Sequence, residues 1–160
     1  MKTELPGMGS IERTADGATV RFERHFPSPP AEVWRALTDP AQLALWLSDA
    51  SVELQVGGAI EVRFDDGIMN GTITDLAVEA VLAYSWHEGQ SSESHVRWEL
   101  LPSGSGTTLR LTHVKLAPDS ATGFGAGWHH HLDRLEGVVA GRPIEWNSHT
   151  FEELERLYRT

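Results

Sequence analysis

Between Val20 and Lys115 the apolar residues recur mostly at every second position, and behind this long run stands one stretch with a different period. In Gly127-Trp-His-His-His-Leu-Asp-Arg-Leu-Glu-Gly-Val-Val-Ala-Gly141, residues Trp128, Leu132, Leu135 and Val139 fall at i, i+4, i+7 and i+11. That is a single apolar stripe on an α-helix. Gly141 suits the position just past a helix end, and Pro143 forbids continuation. One amphipathic helix following a run of strands must bury its stripe on the sheet those strands make. The expected class is therefore α+β, with the C-terminal helix over about 122–141.

The remaining elements follow from local signals. Residues 1–16 are polar and hold Pro6, Gly7 and Gly9, which reads as a flexible arm with an edge strand as the alternative. Residues 17–160 read as a single domain. Its first strand is Thr19–Phe26, with Val20, Phe22 and Phe26 on one face and Arg24 sharing it. Ser28 as N-cap, Pro29 at the first helical position and Glu32 in the first turn open a short helix. Asp39-Pro40 repeats the signal for a second, whose buried face is Leu43, Trp46 and Leu47. Val52–Val56 alternates and runs into Gly57-Gly58, a corner where no side chain would fit. Asp65-Asp66-Gly67 and Pro102–Gly106 mark hairpin turns. Phe151, Leu154 and Leu157 give an apolar edge to a tail helix over about 149–158.

Composition removes several functions. A formal charge of −10 disfavours nucleic acid and anionic membranes, because phosphate binding needs a basic stripe. Without cysteine there is no disulfide, no thiolate chemistry and no Cys-containing metal site. No apolar run approaches the ~20 residues of a membrane helix, and the first nineteen residues hold no apolar core of a signal peptide. A cytoplasmic protein is the expectation.

The ordered set Pro30-Ala-Glu-Val-Trp-Arg-Ala-Leu-Thr-Asp-Pro-Ala-Gln-Leu-Ala-Leu-Trp46, Val56-Gly-Gly58, Gly71-Thr-Ile-Thr-Asp75, Leu82-Ala-Tyr-Ser-Trp86, Thr107–His113 and Gly127-Trp128…Leu132-Asp-Arg-Leu135 resembles the SRPBCC (START-like, Bet v 1-like) superfamily. More narrowly, it looks like the branch named after the activator of the Hsp90 ATPase homologue. The resemblance covers about residues 19–141. It implies a helix-grip fold, a curved antiparallel sheet wrapped around the C-terminal helix with an apolar cavity between them. Members include lipid carriers, hormone receptors, polyketide cyclases and co-chaperone domains, so fold leaves function open.

Six tryptophans stand in 160 residues, and a sheet bent around a helix suits indole rings to a pocket wall. Candidate ligand-binding residues are Trp46, Phe64, Trp86, Trp98, Leu111, His113, Trp128 and Leu132. His113 continues the inward phase of Leu109 and Leu111, either as a satisfied buried histidine or as a ligand anchor or general base. Arg24 is either an edge residue reaching water, the favoured reading, or a counter-charge for an anionic ligand. His129-His130-His131 is not expected to hold a metal, since successive helical residues point about 100° apart. His129 and His130 are expected in solvent, and Asp133 facing outward. Gly123-Phe-Gly-Ala-Gly127 follows a loop and suggests mobility at a pocket entrance.

Three functions are then open: a binding module for a hydrophobic or aromatic small molecule, a cyclase- or hydrolase-like enzyme using His113, and a chaperone-associated interaction domain. The first is preferred. It needs no cofactor, and a homodimer is compatible with it.

Overall fold

The alternating segments form eight antiparallel strands in one curved sheet, in the order β1-β2-β8-β7-β6-β5-β4-β3. The computed structural model describes residues 7–142 and 150–159, so the expected roles of Pro143 and Trp146 lie outside the described residues. The strands are β1 (Ser10–Thr14), β2 (Gly17–Phe26), β3 (Asp49–Val52), β4 (Ala59–Phe64), β5 (Gly67–Ala77), β6 (Val81–Trp86), β7 (Ser94–Ser103) and β8 (Gly106–Leu116). Helices α1 (Pro30–Thr38) and α2 (Pro40–Trp46) follow β2, α3 (Ala121–Val139) crosses the concave face, and α4 (Phe151–Tyr158) packs on α3.

Sheet register obeys the period-two pattern. Val20, Phe22 and Phe26 of β2, Val96, Trp98 and Leu100 of β7, and Leu109, Leu111 and His113 of β8 are all buried. Trp98 pairs with Leu111, and Val96 with His113, across the β7–β8 ladder. The stripe of α3 closes this core: Trp128, Leu132 and Leu135 are buried, and Val139 is partly so. The helix ends as its sequence prescribes. Gly141 takes φ +69°, the Arg142 N–H donates to the Gly137 carbonyl, and the Gly141 N–H to that of Val138. This is a Schellman closure, which satisfies carbonyls that the last turn would leave orphaned.

Three local expectations are corrected. Residues Ser10–Thr14 are not a loose arm but an edge strand paired with β2, because the outer edge of β2 otherwise leaves its backbone groups without partners and Ile11 adds to the core. The cap of α1 is Pro29 rather than Ser28, with Pro30 as the first helical residue; the Ser28 carbonyl instead accepts from Thr107 Oγ1 at 2.8 Å. The strand expected at Val52–Val56 ends at Val52, leaving Leu54 and Val56 exposed. There the chain folds into the Gly57-Gly58 corner, where a Cβ on Gly58 would lie 2.1 Å from the Glu53 carbonyl oxygen. Gly123–Gly127 falls inside the helix expected over about 122–141, in α3, after a 3-10 turn at Pro118–Ser120. Asp39 caps α2 as expected, accepting from the Ala41 N–H at 3.0 Å.

Candidate ligand cavity

A cavity of about 400 Å³ opens beside the N-terminal half of α3. The sheet side contributes Phe64 at the end of β4 and Trp86 at the end of β6, with Leu47 just after α2. The tail contributes Phe151. From α3 and the turn before it come Ser120, Gly123, Gly127 and His131, spaced three, four and four apart on one helix face, flanked by Phe124 and Trp128. This face carries so little side chain that the wall recedes. A Cβ on Gly123 would meet nothing within 4 Å, and one on Gly127 only Phe151 Cε2 at 3.9 Å. Gly125, on the opposite side, is different: its Cβ would lie 3.1 Å from Tyr158 Cδ1 and 3.2 Å from Ile11 Cδ1, so packing demands it.

Of the eight candidates, Phe64, Trp86 and Trp128 line this cavity. Trp46, Trp98, Leu111, His113 and Leu132 are buried in the core away from its lining. Their inward phase is filled by other side chains. Trp98 packs edge-on against Trp46 at 5.9 Å and Trp128 at 5.4 Å, and its Nε1 donates to the Tyr84 hydroxyl at 3.0 Å. Trp46 Nε1 donates to the Ala36 carbonyl at 2.8 Å. Trp86 alone of this cluster has an indole N–H that is buried and has no partner among the described residues.

His113 is a satisfied core histidine. Trp128 Nε1 donates to its Nδ1 at 3.0 Å, so in the neutral ring Nε2 carries the proton and donates to Ser94 Oγ at 2.7 Å. Burial pushes its pKa down to about 3, with His87 and His95 adding to the shift. With both nitrogens engaged, it has no atom left for a ligand or a proton transfer in this arrangement, and Tyr84 is bonded to Trp98 instead.

The three consecutive histidines go three ways, as helical spacing requires. His129 is buried, not solvated: its Nδ1 meets the Tyr158 hydroxyl at 2.8 Å and its Nε2 lies 3.6 Å from Asp133 Oδ2. That hydroxyl also accepts from the Gly9 N–H at 2.8 Å, so one contact joins α3, α4 and the segment before β1. Asp133 does not face outward either. It receives Arg24 Nη1 at 2.9 Å, with Glu136 Oε2 3.4 Å from the same nitrogen, while Arg24 Nε donates to the Gly7 carbonyl at 2.9 Å. The inward Arg24 thus answers the acids of α3, being neither an edge residue nor a counter-charge for an anionic ligand. His131 is the one that reaches the cavity. Its Nδ1 lies 3.0 Å from the Trp46 carbonyl oxygen, and burial lowers its pKa to about 4.

Leu47, Ser120, His131 and Phe151 were not among the expected ligand-binding residues, and Gly123, Phe124 and Gly127 were expected only as a stretch at a pocket entrance. The signal was present in part, because Gly123, Gly127 and His131 repeat at the helical spacing of four. A second compartment of about 450 Å³ shares Phe64, Trp86 and Phe124 with the first and adds Asp66, His87 and Gln90.

A curved antiparallel sheet gripping a long C-terminal helix, with a cavity between them, defines a helix-grip domain of the SRPBCC (START-like) kind. Residues 27–140 match the family described as Activator of Hsp90 ATPase homolog 1-like protein, and the chain belongs to that family. No curated protein matches it in sequence. Solved structures share the fold. The product of gene BPP1335 from Bordetella parapertussis is 27% identical, with a TM-score of 0.73 over 99% of this chain and 94% of that one. CalU16 from Micromonospora echinospora is 24% identical, with a TM-score of 0.78 over 96% and 94%. The Aha1 dimer from Colwellia psychrerythraea is 20% identical, with a TM-score of 0.70 over 76% and 95%. No helix among the described residues is long and apolar enough to cross a membrane.

Proposed function

We propose that the protein binds an uncharged, ring-bearing hydrophobic small molecule in the cavity between α3, α4 and the ends of β4 and β6. The observation that carries this reading is the pair Gly123 and Gly127. Two glycines in one helix face open space, at a cost to helix stability, and the space they leave is walled by Phe64, Trp86, Phe124, Trp128 and Phe151. A volume of about 400 Å³ with a mostly aromatic wall is within the range of small-molecule sites. Among the described residues no Lys, Arg, Asp or Glu side chain stands in that wall, so a charged ligand would give up its hydration without compensation from them.

The enzyme reading rested on His113, and both of its ring nitrogens are occupied within the core. The binding module is therefore preferred. Native mass spectrometry of the protein purified from its own host tests it directly, the expected result being a retained neutral compound. In parallel, an environment-sensitive naphthalene dye should quench or shift tryptophan emission through Trp86 and Trp128. A dye that neither binds nor changes emission would mean that the cavity does not take ligands. Self-association, for which the Colwellia Aha1 dimer is a precedent, belongs to the proposal too, and sedimentation equilibrium should return a dimer mass.

A further inference from the structure

We infer that His131 Nε2 is the polar anchor of the cavity, accepting a hydrogen bond from a ligand that carries a neutral donor on its ring, a phenolic or enolic hydroxyl or a heterocyclic N–H. This rests on the cavity being a binding site. The argument begins with the partner of the other ring nitrogen. A backbone carbonyl oxygen can only accept, so His131 Nδ1, 3.0 Å from the Trp46 carbonyl, must carry the proton. In the neutral imidazole that proton placement leaves Nε2 bare, with its lone pair available. The Trp46 carbonyl is itself fixed by the last turn of α2, so the tautomer is set by the fold and not by the ligand.

The surroundings keep the ring neutral. Phe64 and Trp128 pack against it at centroid distances of 6.4 Å and 6.3 Å, and burial lowers its pKa to about 4. A neutral, locked acceptor in an aromatic chamber selects for a donor. It rejects carboxylates and phosphates, which would bring two lone pairs together, and it gives nothing to an ether or ketone. The ring shape follows from the walls: Trp86 and Trp128 stand at 65° to each other, 5.4 Å apart, with Phe124 edge-on to Trp86. Among the described lining residues two other polar groups stand unengaged: the Ser120 hydroxyl, which accepts as well as donates, and the Trp86 indole N–H, which can only donate.

The test uses 2-naphthol and 2-methoxynaphthalene, alike in ring and differing in the donor. Titration at neutral pH should give 2-naphthol about three- to tenfold the affinity, the net worth of one hydrogen bond. In His131→Asn the side-chain amide can still serve the Trp46 carbonyl while Nε2 is gone, and the two probes should then bind alike. In Ser120→Ala the preference should survive. The imidazole nitrogen resonances of the unmodified protein give a reading that no folding defect can confuse: the His131 Nε2 signal should move with 2-naphthol and stay with 2-methoxynaphthalene. Equal binding of the two probes, or a preference that persists in His131→Asn, would overturn the anchor and leave the cavity standing. Failure of both probes to bind the unmodified protein would overturn the cavity itself.

Discussion

Gly123, Gly125 and Gly127 form an internal experiment within one helix. In a helix interior, glycine is about 0.5–1 kcal/mol worse than alanine, because it gives up more backbone freedom and packs nothing. At Gly127 the added methyl meets only Phe151 Cε2 at 3.9 Å, an ordinary contact, so Gly127→Ala should recover most of that amount. For a chain of this length the gain corresponds to about 2–4 °C in Tm per kcal/mol. Gly123→Ala meets nothing within 4 Å but sits in the first turn, where fewer helical bonds benefit, and its gain should be smaller. Gly125→Ala would drive its methyl to 3.1 Å from Tyr158 and 3.2 Å from Ile11, so it should be neutral or destabilising. Gly127→Leu should keep the fold but fill the cavity with an isobutyl group, and the affinity for 2-naphthol should collapse. Urea unfolding and the same probe titration read both quantities on each variant. Binding in Gly127→Leu equal to wild type would refute the placement of the site. A Gly127→Ala protein less stable than wild type would mean that something packs where the structure leaves space.

Acid should destabilise the fold through two histidines. Burial holds His113 at about 3 and His131 at about 4, against 6.5 for an unburied imidazole, so the unfolded chain binds more protons below pH 6.5. Stability should thus be insensitive to these groups above 6.5 and fall from about pH 6.5 down to about 4 for His131 and about 3 for His113, by up to about 1.4 kcal/mol per pH unit for each; in His113→Gln the slope of urea stability against pH should drop by one histidine's share. On α3, Leu132→Ala should cost about 2–5 kcal/mol in urea unfolding, as for a leucine truncated in a full core. Asp133→Ala should cost about 1.5–3 kcal/mol, since it strips a charge-assisted hydrogen bond from the buried Arg24; a cost under half a kcal/mol would mean that Glu136 alone suffices for Arg24.

What was legible in the sequence was direction, and what was not was company. Period two places Trp98, Leu111 and His113 on the inner face of the sheet, and all three are there. It cannot say what each meets on arrival. Trp98 arrives between Trp46 and Trp128 and is walled in, whereas Trp86, twelve residues earlier and in the same phase, arrives at the end of β6 and lines the cavity beside Gly123 and Gly127. The helix shows the same limit in finer grain. The stripe from Trp128 to Leu135 was readable because apolar residues mark it, but His129 and Asp133 read as surface, and Arg24, though placed on the inner face of β2, read as reaching water at an edge. Together they form one ion-paired and hydrogen-bonded seam beneath α4, and a seam between elements distant in sequence has no local periodicity. The cavity was hardest of all, because it is written in missing atoms. Ser120, Gly123, Gly127 and His131 make a helix face by spacing, yet a pattern search that scores hydrophobic residues passes over glycines. A helix that keeps two glycines facing open space has accepted a weaker backbone in exchange for volume. An added Cβ would meet nothing within 4 Å at Gly123 and only Phe151 Cε2 at Gly127, so packing among the described residues does not demand glycine at either position, and the volume they leave carries the binding proposal more directly than any aromatic ring in the wall.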